Sequence, residues 1–261
     1  MIKLISALLA VMLNFFPTPK ADLVPVKTLD NPSPVSTISA VPKEFSTGPS
    51  DKPRVALTFD ADMTAGMKRR LDAHLVSSWY NQEVINILEK NQTKATLFLT
   101  GMWVEVYPKE AKALAQNPLF EIGSHSYSHP AFHWPCYTLR RIGQNEKGTE
   151  IDKTQAILKS IGVENSLFRF PGGCHSKDDS DLVNSRGISI VNWDVSSTDA
   201  FNQNTDRIVK GVVGKVKNGS IVVFHLHGGP NAPKTAPALE QIIPKLKDRG
   251  FEFVQVSEFF R

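Results

Sequence analysis

Clustered positive charge, long apolar runs and cysteine are all scarce in this chain of 261 residues. Its formal net charge of +4 comes from scattered basic residues that form no stripe with the aromatic side chains, so we expect no nucleic-acid partner. The hydrophobic share of 41% and the charged share of 21% are ordinary for a globular protein and argue against extensive disorder. The chain is long enough to bury one sizeable core.

One apolar run stands near the N-terminus, from residue 4 to residue 16, and follows Lys3. It is too short for a comfortable membrane span and has the pattern of a secretory signal. We therefore predict a signal peptide or N-terminal anchor over residues 1–21. An uncleaved anchor is the alternative, because no clean cleavage site follows the run. The expected location is secreted, periplasmic or cell-envelope, without stable membrane insertion unless the segment is retained.

Residues 22–53 are rich in Pro, Ser and Thr and show little periodicity, which predicts an extended linker. The folded domain is then expected to span residues 54–261. The two cysteines of the chain, Cys136 and Cys174, both lie in that domain. In an exported protein they could form a disulfide that ties two loops together, and two buried thiols are the alternative.

From residue 54 onward, short runs rich in β-branched or aromatic residues alternate with stretches whose apolar residues follow helical spacing. Repeated about seven times, this alternation predicts a parallel β/α sheet with helices outside, closed as a barrel or open and doubly wound. The predicted strands are 55–59, 95–99, 120–122, 167–170, 188–193, 221–224 and 251–256. The predicted helices are 80–90, 108–116, 139–161, 206–216 and 236–249.

Polar side chains suited to metal binding or proton transfer follow these predicted strands directly. Since the carboxyl ends of parallel strands meet at one edge of a sheet or barrel, residues placed there are expected to lie close together. Scattered polar residues would not all fall just after strands, so this placement predicts a functional site. The residues concerned are Asp60, Asp62, His125, His129, Arg169, Asp199 and His225.

Asp60 and Asp62 end the first predicted strand and should face the same side, because side chains alternate along a strand. Two adjacent carboxylates repel unless a cation lies beside them, and one could hold a divalent metal while the other acts as a base. A turn or helix cap is the alternative for the pair. His125 and His129 point the same way if their segment makes one helical turn. With Asp62 they would form a three-ligand set that leaves a position open for water.

Five short motifs contain these residues in a fixed order. They are Thr-Phe-Asp-x-Asp (58–62), His-Ser-x-x-His-Pro (125–130), Arg-Phe-Pro-Gly-Gly (169–173), Trp-Asp-Val-x-Ser-x-Asp (193–199) and Ile-Val-Val-Phe-His (221–225). From about residue 54 to the C-terminus, the chain thus resembles the polysaccharide deacetylase family, also called carbohydrate esterase family 4 or the NodB homology domain. The resemblance implies a single-domain α/β fold, a distorted (β/α)7 barrel similar to the TIM barrel, and metal-dependent removal of acetyl groups from sugars.

The resemblance also implies a role for each residue of the predicted site. Asp60 corresponds to the catalytic base, and Arg169 to the arginine that keeps this carboxylate ionised and oriented. His225 corresponds to the general acid, and Asp199 to the aspartate that raises the pKa of this imidazole. The implied metal ligands are Asp62, His125 and His129. The expected cofactor is one divalent ion, with zinc as the first choice and cobalt, nickel or manganese as alternatives.

Three positions depart from the family's pattern. Ala61 separates two aspartates that are usually adjacent, which leaves open which of the two carboxylates binds the metal. Gly172 and Ala200 stand where an aromatic residue and a tryptophan are usual, so we expect the substrate groove to lack these two walls. Trp134 and Trp103 are candidates to stack on a sugar ring instead, and core packing is the alternative for either.

The function expected from the resemblance is that of an exported, monomeric hydrolase of non-peptide carbon–nitrogen bonds. It would remove N-acetyl groups from an amino-sugar polymer or oligomer, such as peptidoglycan or a chitin-like glycan. Two alternatives stay open at this point. The protein could be an O-acetyl esterase of the xylan type, because amide and ester hydrolysis use the same metal chemistry, or a catalytically silent carbohydrate-binding protein on the same fold.

Overall fold

The computed structural model describes residue 41 and residues 43–261 of the chain. The predicted signal or anchor over residues 1–21 and most of the predicted linker lie outside the described residues. Within the described part of the chain, no helix combines the length and the apolar character that a membrane crossing requires.

Strand pairing in the central sheet is parallel throughout. The nine strands are β1 (Glu44–Phe45), β2 (Arg54–Ala61), β3 (Ala95–Leu99), β4 (Phe120–Ser124), β5 (Leu167–Phe168), β6 (Ser189–Val191), β7 (Val195–Ser196), β8 (Ile221–His225) and β9 (Glu252–Phe253). Their order is β1-β6-β5-β4-β3-β2-β8-β7, and β9 pairs with β2. The two end strands, β1 and β7, do not pair with each other among the described residues, so the ring of strands stays open there. The predicted single-domain, distorted α/β barrel is confirmed.

Helices connect the strands, as the alternating pattern predicts. They are α1 (Ala65–Asp72), α2 (Gln82–Lys90), α3 (Gly101–Val106), α4 (Pro108–Gln116), α5 (Gln144–Ser160), α6 (Lys177–Asn184), α7 (Thr205–Lys215) and α8 (Thr235–Asp248). The predicted helix over 139–161 begins too early, because residues 131–143 form a loop before α5. The helices α1, α3 and α6 were not predicted, since six to eight residues give too few turns for a clear apolar period.

Alternate residues of β2 belong to two different parts of the core. Val55, Leu57 and Phe59 pack in the large cluster that also contains apolar residues of the helices. Ala56 packs in a smaller cluster made mainly of residues from other strands and the C-terminal segment. Because side chains alternate along a strand, Asp60 shares the side of Ala56 and faces the interior of the ring at the carboxyl end of β2.

The folded unit begins earlier than residue 54. Glu44 and Phe45 form β1, which pairs with β6, and Phe45 is buried with its ring 4.8 Å from that of Phe260. The last residues of the predicted linker are therefore part of the sheet. A two-residue strand is too short to show a period, so composition alone placed this segment in the linker.

Candidate active site

Asp60 lies at the carboxyl end of β2 and is 4% exposed. Arg169 directly follows β5, is fully buried, and donates from Nη1 to Oδ1 of Asp60 and to Oγ1 of Thr58, each at 2.8 Å. Its Nε donates to the carbonyl oxygen of Val191 at 3.1 Å, and its guanidinium carbon lies 4.1 Å from the ring centroid of Phe98. These contacts fix the guanidinium, which compensates the buried charge of Asp60 and orients its carboxylate.

Asp62, His125 and His129 converge beside Asp60. Oδ1 of Asp62 lies 3.5 Å from Nε2 of His125 and 3.3 Å from Nε2 of His129. Oδ2 of Asp60 lies 3.7 Å from the same nitrogen of His125, so both aspartates face one side as predicted. One ligand atom each from Asp62, His125 and His129 lies within 4.8 Å of the other two, which is close enough for all three to bind one ion.

The protonation pattern of this cluster suits a divalent metal. Nδ1 of His125 lies 2.8 Å from the carbonyl oxygen of Arg169, and because a carbonyl only accepts, Nδ1 carries the proton and Nε2 keeps its lone pair. Nε2 of His125 and Oδ1 of Asp62 are buried and have no hydrogen-bond partner among the described residues. Each such atom costs roughly 1–3 kcal/mol unless something satisfies it. Two imidazoles and a carboxylate are the donor set of catalytic zinc sites, so these residues fit a divalent cation.

The charges within the cluster are strongly coupled. Burial raises the pKa of Asp62, but the rings of His129 and His227 lower it more, and the net pKa lies well below that of ordinary aspartate. Burial lowers the pKa of His129 to about 4 despite the opposing charge of Asp62. Burial also lowers the pKa of His125, yet the carboxylates of Asp60 and Asp62 bring it above its ordinary value. A cation bound here would compete with protons for these imidazoles, so its affinity should depend on pH.

The loop that carries His129 has an unusual backbone. Ser126 and His129 have φ angles of +65° and +57°, in the left-handed region that non-glycine residues seldom adopt. Glu150 of α5 accepts from the backbone N–H groups of Tyr127 and Ser128 at 2.9 and 2.7 Å, and from Oγ of Ser128 at 2.6 Å. The two histidines therefore converge without a helical turn, through a loop that hydrogen bonds to Glu150 hold in place. Sequence reasoning missed Glu150, which lies 22 residues from Ser128 and carries no local signal.

His225 ends β8 and pairs with Asp199. Nδ1 of His225 donates to Oδ1 of Asp199 at 2.7 Å, and the backbone N–H of His225 donates to Oδ2 at 2.9 Å. Thr235 adds a third bond to the fully buried Asp199 carboxylate, at 2.7 Å. Burial lowers the pKa of His225, but the charge and hydrogen bond of Asp199 outweigh it and raise the pKa to about 10. The predicted site residues on β2 and β8, directly after β2 and β5, and in the loops after β4 and β7 are thus brought together.

A cavity of about 330 Å³ opens above these groups and is lined by Asp60, Asp62, His129 and His225. Its volume lies at the lower end of the usual range for small-molecule sites. The four side chains thus reach a common space in which a substrate could contact all of them.

Two exposed aromatic side chains line the same cavity. Tyr137 and Phe201 are 66% and 75% exposed, and their rings stack with centroids 5.8 Å apart and an interplanar angle of 24°. A Cβ added at Gly172 would lie 3.0 Å from Cδ2 of Tyr137, so the missing side chain there leaves room for the tyrosine. Phe201 directly follows Ala200. The two positions expected to lack groove walls are therefore flanked by aromatic rings from neighbouring residues.

The expected tryptophans do not take this place. Trp103 is fully buried, and its Nε1 donates to the carbonyl oxygen of Trp79 at 2.9 Å. Trp134 is 49% exposed but lines a different cavity with Arg141 and Lys147. Composition and spacing could not separate a core tryptophan from one at a rim, because both occur in apolar surroundings.

Cys136 and Cys174 form a disulfide, with their Cα atoms 5.9 Å apart, which confirms the first of the two alternatives. The bond joins the loop that carries Tyr137 to the segment that follows Gly173. An added Cβ at Gly172 would also lie 2.8 Å from Sγ of Cys136, so the two loops are packed closely at this point.

The motifs and the barrel agree with a match to a known family. The model of the polysaccharide deacetylase family matches residues 47–191, which is more than half of the chain. The chain belongs to the polysaccharide deacetylase family. This assignment confirms the resemblance and, at the level of the family, the predicted class of hydrolases acting on carbon–nitrogen bonds.

Relatives in this family differ in length. A peptidoglycan-N-acetylglucosamine deacetylase of Bacillus cereus is 29% identical over 230 residues, an alignment that covers 88% of this chain and 76% of the relative. Other relatives are longer, since the chain spans 61% of the uncharacterised protein YlxY and 42% of the peptidoglycan-N-acetylmuramic acid deacetylase PdaC, both of Bacillus subtilis.

Solved structures show the same fold. The Bc1960 peptidoglycan N-acetylglucosamine deacetylase, in complex with 4-naphthalen-1-yl-N-oxidanyl-benzamide, matches with a TM-score of 0.71 and 27% identity, over 84% of this chain and 92% of that one. A mutant of BA3943, a CE4 family pseudoenzyme with restored enzymatic activity, matches with a TM-score of 0.69 and 25% identity, over 85% and 72%. Because a pseudoenzyme shares the fold, the fold alone does not establish activity, which depends on the side chains of the site.

Proposed function

We propose that this chain is a metal-dependent carbohydrate deacetylase that hydrolyses N-acetyl groups of an amino-sugar polymer or oligomer, of the peptidoglycan or chitin type, to acetate and free amine. One observation carries the proposal: a carboxylate oriented by a buried arginine and a histidine paired with a buried aspartate line the same cavity as the Asp62 and His129 metal donors. A silent binding protein would have no use for a base and an acid held in this way.

Asp62, His125 and His129 would hold the metal ion, and zinc is the first choice. When bound, a divalent cation lowers the pKa of water and polarises a carbonyl oxygen. The assignment of Asp62 rather than Asp60 rests on their contacts. Oδ1 of Asp60 accepts a hydrogen bond from Arg169, whereas Oδ1 of Asp62 faces both imidazoles and has no hydrogen-bond partner in the part of the chain that the structure describes.

Asp60 and His225 would move the protons. Asp60 accepts a proton from a water molecule while the oxygen of that water adds to the carbonyl carbon of the acetamide. The bond from that carbon to nitrogen then breaks, and His225 donates a proton to the leaving nitrogen. With its pKa raised to about 10, His225 is protonated at neutral pH, and its bond from Nδ1 to Asp199 leaves Nε2 to face the substrate. The products are acetate and the free amine.

The rim of the cavity supports a sugar substrate. Exposed aromatic rings such as those of Tyr137 and Phe201 match the apolar face of a pyranose, and they stand beside the catalytic groups. The named activities of the Bacillus cereus relative and of PdaC on peptidoglycan support a cell-wall glycan and a location in the cell envelope or outside it. A monomer is sufficient for this proposal, because one chain supplies all the groups named.

An acetate-release assay on chitooligosaccharides, peptidoglycan and acetylated xylan, with and without a chelator, tests the proposal. We expect acetate from an N-acetylated substrate and none after chelation, with the activity restored by added zinc. His125→Ala should lack both near-stoichiometric metal and activity. Acetate from xylan alone would favour an O-acetyl esterase. A metal-loaded protein that binds the glycans but releases no acetate would be a silent carbohydrate-binding protein.

A further inference from the structure

His227 is a buried histidine that the proton transfers described above do not use. It lies two residues beyond the end of β8 and is 2% exposed. The backbone fixes its position from both sides. The N–H of Leu226 donates to the carbonyl oxygen of Asp60 at 2.8 Å, and Gly228 turns the chain with a φ of +55° where a Cβ would lie 2.9 Å from Asn81.

The Nδ1 atom of His227 is buried and has no hydrogen-bond partner in the described part of the chain. It lies 3.5 Å from Oδ2 of Asp62, just beyond a good hydrogen bond. The ring of His225 lies 5.1 Å away, but its Nδ1 is already bonded to Asp199. An unsatisfied buried N–H is costly, so the carboxylate of Asp62 is the acceptor that this nitrogen is placed to reach.

The two oxygens of Asp62 therefore have different neighbours. Oδ1 lies 3.3 and 3.5 Å from the imidazoles of His129 and His125, whereas Oδ2 faces His227. The donor atoms that lie within 4.8 Å of one another come from Asp62, His125 and His129, and His227 is not part of that group. His227 lines the same cavity and lies on the Oδ2 side of the carboxylate, outside the group of ligand atoms.

We propose that His227 is a positioning residue that donates from Nδ1 to Oδ2 of Asp62 and so keeps Oδ1 directed at the two imidazoles of the metal site. The inference rests on the proposed metal site, but it concerns metal affinity rather than turnover. Residues that hydrogen-bond to a metal ligand commonly contribute about 10- to 100-fold to metal affinity.

Three variants test this role by zinc affinity, measured in competition with a chromogenic chelator. His227→Leu keeps the approximate volume but removes the donor, and we expect zinc binding to weaken by about 10- to 100-fold. His227→Ala should weaken it similarly. His227→Asn puts an amide N–H near the position of Nδ1, so it should stay within about threefold of wild type, since one hydrogen bond of similar strength replaces another. The matched control is His133→Leu, at an exposed histidine away from Asp62, with unchanged affinity.

A second measurement does not depend on the variants folding. In the zinc-loaded wild-type protein, long-range proton–nitrogen NMR correlations should show His227 with its proton on Nδ1. Equal zinc affinity of wild type, His227→Leu and His227→Ala would overturn the proposal, as would an Nδ1 without a proton or a wild type that binds no divalent ion. A wild type that binds zinc, depends on His227 for affinity and releases no acetate would leave this inference standing and remove the proposed activity.

Discussion

The floor of the cavity, defined as Asp60 and His225 together with their buried partners Arg169 and Asp199, differs from the rim, which comprises Tyr137 and Phe201. Asp60, Arg169 and Asp199 are at most 4% exposed and are held by charged hydrogen bonds of 2.7–2.8 Å. The two rim residues are 66% and 75% exposed and stack on each other. The floor is therefore preorganised before substrate binds, whereas the rim has freedom to adapt.

The positions that lack the usual aromatic residues of the family motifs lie at the rim and not at the floor. The floor residues all match the family motifs, while Gly172 and Ala200, which lack the usual aromatic side chains, border the rim. Removing one partner of a buried ion pair costs about 3–5 kcal/mol, because the other charge stays buried and unpaired. An aromatic contact contributes about 0.5–1.5 kcal/mol beyond its buried area. Under the proposed function, we therefore expect the reaction and the choice of substrate to depend on different residues, so that each can be altered alone.

Asp60→Asn should have the largest effect on turnover. The amide cannot accept the proton of the attacking water, so we expect kcat to fall on the order of 10²- to 10⁴-fold. Metal content should stay the same, because Asp60 is not part of the proposed ligand set of Asp62, His125 and His129. Elemental analysis and acetate release measure the two quantities. Asp248→Asn, at an exposed aspartate near the end of α8, is the matched control. Loss of metal from the Asp60 variant would instead assign Asp60 as a ligand.

Asp199→Asn should change the pH dependence of the reaction. His225 must be protonated to serve the leaving nitrogen, so activity is present below its pKa and falls as the pH rises through about 10. Asp199 is the largest influence that raises the pKa of His225 against burial, so without its charge this pKa should fall and the alkaline limb of kcat should move to lower pH. Near pH 9 we expect a loss of roughly tenfold or more, within the range of general acid catalysis. An unchanged limb would show that another group donates the proton.

The fold was largely predictable because its strands are central and parallel. Such strands are buried on both faces, so their sequences are nearly continuous apolar runs, as in β2 and β8. The site followed from the fold, since the carboxyl ends of these strands meet at one edge. The short helices α1 and α3 and the two-residue strand β1 had too few residues for any period to appear.

The groups that support the site were not predictable in the same way. Glu150 braces the metal loop from α5, and Tyr137 reaches the cavity from a loop that was expected to be partly helical. Their roles depend on contacts between segments distant in sequence, which local periodicity does not encode. The rim was predicted from tryptophan alone, and Trp103 turned out to be part of the core.

Substitutions at the rim should have the smallest effects. Tyr137→Ala and Phe201→Ala each remove one stacking ring, and we expect KM for a chitooligosaccharide or peptidoglycan fragment to rise by roughly two- to tenfold, the equivalent of about 0.5–1.5 kcal/mol. kcat should stay within about twofold of wild type, because uniform binding is lost rather than an interaction made only in the transition state. Steady-state acetate release over a range of substrate concentrations separates the two parameters.

Two control variants separate the loss of an aromatic ring at the rim from other effects of a substitution. Tyr137→Phe retains the ring and should behave like wild type, and Leu75→Ala removes a side chain that is 72% exposed and does not line the cavity. A small acetylated substrate without a second sugar should be insensitive to the rim variants if the rings contact a neighbouring pyranose. A fall in kcat as large as that of Asp60→Asn would mean that the rim takes part in the chemistry, since an aromatic contact that only binds the sugar cannot change the proton transfers at Asp60 and His225.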